Sequence, residues 1–123
     1  MPEAPTRPDL AGRRVLVVEN EYLIAEALRE ALEDAGAGVL GPVPDVAAAL
    51  NLLAAGAAPD GAVLDVNLGD EMAWPVADAL LARGVPFVLA TGYDASVIPA
   101  RYAGVRRCEK PADLDEIARA LFG

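Results

Sequence analysis

With nineteen Asp and Glu against ten Lys and Arg in 123 residues, the chain reads as one acidic domain of net charge −9. That balance excludes a basic nucleic-acid surface, no apolar run reaches bilayer length, and a hydrophobic fraction of 54% predicts a packed cytoplasmic protein. The absence of histidine and the single cysteine exclude His bases, His-bound metals and intrachain disulfides, leaving carboxylate, hydroxyl and amine chemistry with a hard cation as metal.

Residues 1–12, with three prolines, read as a flexible arm ahead of a domain over 13–123. Val15 to Val18 is a short β-branched run suited to a strand buried on both faces. Leu23, Ile24, Ala27, Leu28, Ala31, Leu32 and Ala35 recur at helical spacing and predict a helix ending near Gly36. Val39-Leu40 is a weak second strand, and Asp45 is placed to cap a helix that stops at Gly56. The turn Pro59-Asp60-Gly61 introduces a third strand at Ala62 to Leu64. A third helix starts near Trp74-Pro75 and stops at Gly84, and Phe87 to Ala90 is the fourth strand. Residues 95–103 predict a short helix interrupted by Pro99, followed by a marginal strand from Val105 to Cys108. The last helix starts at Asp113, with Glu116 three residues on as in a capping box. Strands alternating with helices in so short a chain predict an α/β fold: a doubly wound, five-stranded parallel sheet with helices on both faces.

Ligands of such sheets bind beyond the carboxyl ends of the strands. The predicted strands end in Glu19-Asn20-Glu21, Asp65, Thr91 and Glu109-Lys110, so acids, a hydroxyl and an ammonium converge on one edge. Asp65 directly follows a buried apolar run, where an ionised carboxylate is costly unless compensated. Lys110 is the only lysine beside nine arginines, which suggests a site needing a compact ammonium. Taken singly, Asn20 reads as a helix cap, Asp70 and Glu71 as solvated loop charges, and Trp74 as a partly buried anchor. The segment Gly36 to Gly41 matches GxGxxG but follows a helix, whereas dinucleotide binding needs it between a strand and a helix.

The ordered fragments VLVVENE, PDGAVLDVNL, LATGY and EKP, spanning about residues 13–122, resemble the response-regulator receiver domains of the CheY-like family. LATGY, with Pro99 in a shortened fourth helix, is also similar to the FAT GUY subfamily. The resemblance implies a flavodoxin-like (βα)5 fold with strand order 2-1-3-4-5. It makes Asp65 the phosphoacceptor and Thr91 and Lys110 its phosphoryl contacts. It gives Glu19, Asn20, Asp65 and the main-chain carbonyl of Asn67 as Mg²⁺ ligands. The implied partners are a sensor histidine kinase or histidine phosphotransferase and an unidentified downstream protein. Beyond its own phosphorylation and dephosphorylation, no enzymatic activity is expected.

Two departures from the family pattern stand out. Asn20 occupies a position usually held by aspartate, which weakens the expected hold on Mg²⁺. Arg107 replaces the switch aromatic three residues before the lysine, with Tyr93 as the nearest substitute. Arg101, Tyr102, Arg106 and Arg107 are expected on an exposed partner face formed by residues 95–107 and the last helix. Because the chain ends at Gly123, no attached effector domain is expected, so output would be protein binding or a phosphate relay or sink. A pseudo-receiver that binds its partner without phosphorylation is the alternative. A hydrolase using Asp65 covalently ranks last, since Asn67 stands where a second aspartate would be needed.

Overall fold

The computed structural model describes residues 8–92, 98–110 and 113–123. Its elements run β1 (Arg14–Val18), α1 (Tyr22–Asp34), β2 (Gly38–Val43), α2 (Val46–Ala54), β3 (Gly61–Asp65), α3 (Trp74–Ala82), β4 (Phe87–Thr91), β5 (Arg106–Glu109) and α4 (Leu114–Phe122). The strands form one parallel sheet in the order β2-β1-β3-β4-β5, the architecture expected from the alternating pattern. Alternation along β1 sends Leu16 and Val18 into a core under α2 and α3, and Val15 and Val17 into a second core under α1 and α4. Burial on both faces is why these strands read as continuous apolar runs.

Several local expectations need correction. Leu10, assigned from sequence to the flexible arm, is 1% exposed and packs in the core under α1 and α4. The Gly12 N–H also donates to the Gly36 carbonyl at 3.1 Å, so residues 8–12 are part of the packed unit. The weak second strand runs on to Val43 through a left-handed Gly41 (φ 92°) and a cis peptide to Pro42. A Cβ at Gly41 would lie 2.8 Å from the Val43 nitrogen, so only glycine fits that turn.

Asp45 caps α2 as expected, accepting from the Ala48 N–H at 2.8 Å. Glu71, read as a solvated charge, accepts from the Val46 N–H at 3.1 Å and so satisfies a second free amide of that helix. Asp113 precedes α4 but makes no side-chain cap bond, so the expected capping box is absent. The residue before α1 is Glu21, again without a side-chain cap bond, which removes the reading of Asn20 as a cap. Of the short helix expected at 95–103, residues 95–97 lie outside the described ones, and Ala100–Tyr102 form one 3-10 turn.

Cys108 is buried on β5, where desolvation and then Glu116 push its thiol up to about 11. At pH 8 its thiolate fraction is therefore about 100-fold below that of an ordinary cysteine. Alkylation by iodoacetamide is expected to be at least that much slower in the native protein than in urea. Equal rates in the two states would contradict the packing of β5 against α4.

Candidate functional site

Sheet register assembles the site. Val18 pairs with Leu64 and Asp65 with Ala90, so Glu19 at the end of β1 comes beside Asp65, where the strand order reverses. Thr91 pairs with Glu109, and the Lys110 N–H donates to the Thr91 carbonyl at 3.1 Å, which carries the lysine to the same edge. Glu19, Asn20, Asp65, Thr91 and Lys110, far apart in sequence, thus gather at one end of the sheet. Asn20, Glu21, Asp65, Asn67, Gly69, Gly92 and Lys110 line an open depression of about 400 Å³ there.

Asp65 is 3% exposed and Glu19 6% exposed, so both carboxylates need donors. Lys110 Nζ supplies one to each, at 2.9 Å to Asp65 Oδ2 and 3.1 Å to Glu19 Oε1. The Asn67 N–H donates to Asp65 Oδ1 at 3.2 Å and the Glu21 N–H to Glu19 Oε2 at 3.0 Å. In the amide orientation that the surrounding acceptors favour, the Asn20 nitrogen faces inward and would donate to Asp65 Oδ2 at 3.1 Å and Glu19 Oε2 at 3.2 Å. Gly69 (φ 90°) closes the loop over that carboxamide, and its N–H donates to Asn67 Oδ1 at 2.9 Å.

Burial, and then the neighbouring Asp65, raise the Glu19 carboxyl above the usual range, against the pull of the Glu21 amide and Lys110. For Lys110 burial is the largest single influence and acts downward. The bonds and charges of Asp65 and Glu19 together exceed it, so the ammonium is held above its ordinary value. The lysine is therefore fully charged at neutral pH.

The carboxylate oxygens of Glu19 and Asp65 fit a hard cation such as Mg²⁺ in kind, whereas Asn20 would have to turn its oxygen inward to join them. Among the described residues, however, no three Asp, Glu, His or Cys side chains gather as a metal set. Two carboxylates and a carboxamide do, which makes the site lower in charge.

The expected partner face is only partly as read. Arg106 and Arg107 are exposed on the edge strand β5, and Tyr93 lies outside the described residues. Tyr102, expected at the surface, is 1% exposed, because its ring stacks on Trp74 with centroids 5.2 Å apart. Its hydroxyl points at the Asp78 carboxylate and at the Trp74 carbonyl, 3.2 Å away. Arg101, although exposed, is committed to Asp78 at 3.1 Å and lies over the Tyr102 ring. That guanidinium first, and then the tyrosine hydroxyl, hold Asp78 below the usual carboxylate range. Tyr102→Phe is expected to cost about 1 kcal/mol in urea melts, because Asp78 keeps Arg101 and water. An unchanged midpoint would mean that the hydroxyl does not anchor the 3-10 turn to α3.

Sequence reasoning missed an apolar groove of about 260 Å³ between α1 and α4, walled by Leu23, Ile24, Leu28 and Leu114 and floored by Glu19 and Lys110. Its only signal was Leu23, shortly after the acidic end of β1, whose side chain is largely exposed.

No protein-family profile and no curated protein matches the chain. Solved structures do. SdrG from Sphingomonas melonis Fr1 is 40% identical, with a TM-score of 0.76 over 89% of this chain and 93% of SdrG. The BeF3-activated conformation of SdrG from Pseudomonas melonis Fr1 is 42% identical, with a TM-score of 0.73 over 90% of this chain and 94% of that one. A response regulator receiver protein from Sinorhizobium medicae WSM419 is 25% identical, with a TM-score of 0.75 over 89% and 91%. The same fold recurs in a CheY-like receiver domain from Methylobacillus flagellatus, 24% identical, with a TM-score of 0.72 over 85% and 91%. The chain belongs to the CheY-like response-regulator receiver family. In this receiver the five-stranded parallel sheet in the order expected from sequence is that family's fold. Among the described residues, no helix is long and apolar enough to cross a membrane.

Proposed function

We propose that this receiver takes a phosphoryl group onto Asp65 from a phosphohistidine of a sensor histidine kinase or histidine phosphotransferase. The observation that carries this reading is the nearly buried Asp65 carboxylate at the strand-order reversal, held 2.9 Å from the only lysine. A carboxylate oxygen attacks phosphorus, the P–N bond to the donor imidazole breaks, and its electron pair leaves with the ring, forming an acyl phosphate. Lys110 would offset the charge of the arriving phosphoryl oxygens, and Thr91, buried at the end of the neighbouring strand, would offer its hydroxyl. Mg²⁺, held by Glu19, Asn20, Asp65 and the Asn67 carbonyl, would add further charge neutralisation during transfer. The existence of a BeF3-activated conformation of SdrG, at 42% identity, supports the same chemistry here.

Tyr22 and Leu23, exposed at the start of α1 beside the pocket, offer apolar contacts to a donor presenting its phosphohistidine. Arg106 and Arg107 on β5 form the proposed contact for a downstream protein. LATGY and the similarity to SdrG support placement in the FAT GUY subfamily. The second reading, a phosphorylation-independent interaction module, is favoured by one observation: the pocket's carboxylates are already satisfied by Lys110, Asn20 and backbone amides. Incubation with acetyl phosphate and Mg²⁺, read by intact mass, separates the two. One added phosphoryl mass is expected, and none at saturating Mg²⁺ leaves the interaction module standing.

A further inference from the structure

We propose that Asn20 bridges the two acids of the metal-free pocket and thereby sets a weak affinity for the divalent cation, an inference that rests on the receiver reading above. Glu19 and Asp65 bring two buried negative charges together beneath an open depression, and Lys110 brings one positive charge, so repulsion between the acids is only half offset. Asn20 supplies what is missing in a different form. One carboxamide nitrogen reaches both acids, at 3.1 Å and 3.2 Å, so its two N–H groups tie Asp65 Oδ2 to Glu19 Oε2. Lys110 and the amides of Glu21 and Asn67 already give each of the four carboxylate oxygens one donor, and Asn20 adds a second donor to Asp65 Oδ2 and Glu19 Oε2.

A pocket so satisfied holds its geometry without a metal. A cation drawing on the same oxygens has to displace the Asn20 donors, and the carboxamide has to turn by half a rotation to present its oxygen. Two hydrogen bonds are lost for one neutral ligand gained. An aspartate at this position would behave oppositely. It has no donor for the acids and adds a third charge, so it would strain the metal-free pocket and attract a cation more strongly. No competing capping role holds Asn20 in place, since Glu21 precedes α1 and no side chain caps that helix.

The chain contains three asparagines and no glutamine, so the full-length protein labelled with ¹⁵N gives three side-chain amide pairs. Asn20 and Asn51 are both exposed residues, so it is the two hydrogen bonds to the acids that are expected to slow solvent exchange of the Asn20 pair relative to that of Asn51 and to make it shift selectively on Mg²⁺ titration. Asn20→Asp is expected to bind Mg²⁺ about tenfold more tightly, equivalent to about 1.4 kcal/mol. Its metal-free Tm is expected to fall by a few degrees and to recover with Mg²⁺. Asn20→Ala, which removes the bridge without adding charge, should lower the metal-free Tm and, having no donors to displace, bind Mg²⁺ at least as tightly as the parent, and it carries the comparison if Asn20→Asp does not fold without metal. An Asn20 amide that exchanges like Asn51, or equal Mg²⁺ affinity in the parent and Asn20→Asp, overturns the proposal. Acetyl phosphate labelling at saturating Mg²⁺ separates the two levels. Normal labelling with equal affinities sinks the role of Asn20 alone, whereas absent labelling with unequal affinities sinks the receiver reading and leaves the bridge.

Discussion

Asp65→Asn is expected to remain folded and to gain no phosphoryl mass from acetyl phosphate at any Mg²⁺ concentration. The reason is chemical. A carboxamide has the shape of the carboxylate but no anionic oxygen to attack phosphorus, so the covalent step has no nucleophile. Folding should survive, because Lys110 keeps Glu19 as a partner at 3.1 Å and one of two mutually repelling acids is removed. Urea melts should therefore place the variant within about 1 kcal/mol of the parent. Labelling that persists in the variant would move the acceptor to another residue. A variant that fails to fold would mean that Asp65 serves as a structural anchor for the lysine.

Lys110→Ala is expected to do the reverse, keeping the nucleophile but damaging the resting protein. The parent ammonium lies between two carboxylate side chains that are each 4% exposed. Removing it takes one donor from each acid and leaves Glu19 Oε1 with none, and bonds to charged groups contribute about 1.5–3 kcal/mol each. Because the lysine side chain is itself 18% exposed, water can enter the gap, and a total loss of about 2–3 kcal/mol is expected at pH 7.

The pH dependence has a definite sign. Burial already holds Glu19 above the ordinary carboxyl value, and losing the lysine removes an influence that lowers it. The native variant then binds a proton more tightly than the unfolded chain, so its stability rises as pH falls through the raised value toward the ordinary one. Melts at pH 7 and pH 5 should show the parent–variant gap narrowing on acidification. Mg²⁺ should narrow it too, by neutralising the same acids. Lys110→Ala is also expected to be labelled without acquiring partner binding, since the ammonium is needed once the phosphoryl group arrives. A gap that widens at low pH would contradict the place of Lys110 between the acids.

The sheet and its strand-end acids were legible in the amino-acid order because each depends on local pattern. Strands buried on both faces must be continuous apolar runs. Helices lying over them must repeat at 3.6 residues, and a charged residue ending such a run stands out. Asp65 and Lys110 were visible for that reason, one by its position after Leu64 and the other by being the only lysine. What the order alone did not contain is how separate segments divide a shared partner. Tyr102 reads as an exposed contact residue until Trp74 and Asp78, on a different helix, are brought beneath it. Leu10 reads as part of a proline-rich arm until the core under α1 and α4 closes over it. Glu71 reads as solvated until the chain fold brings the open amide of Val46 to it, 25 residues away in sequence. Asn20 is the clearest case. Its residue type predicts a helix cap, and its position in the resemblance predicts a metal ligand. Tertiary structure sets it between two acids 46 residues apart, where the surrounding acceptors favour its nitrogen, because buried carboxylates take the nearest donors whatever segment supplies them.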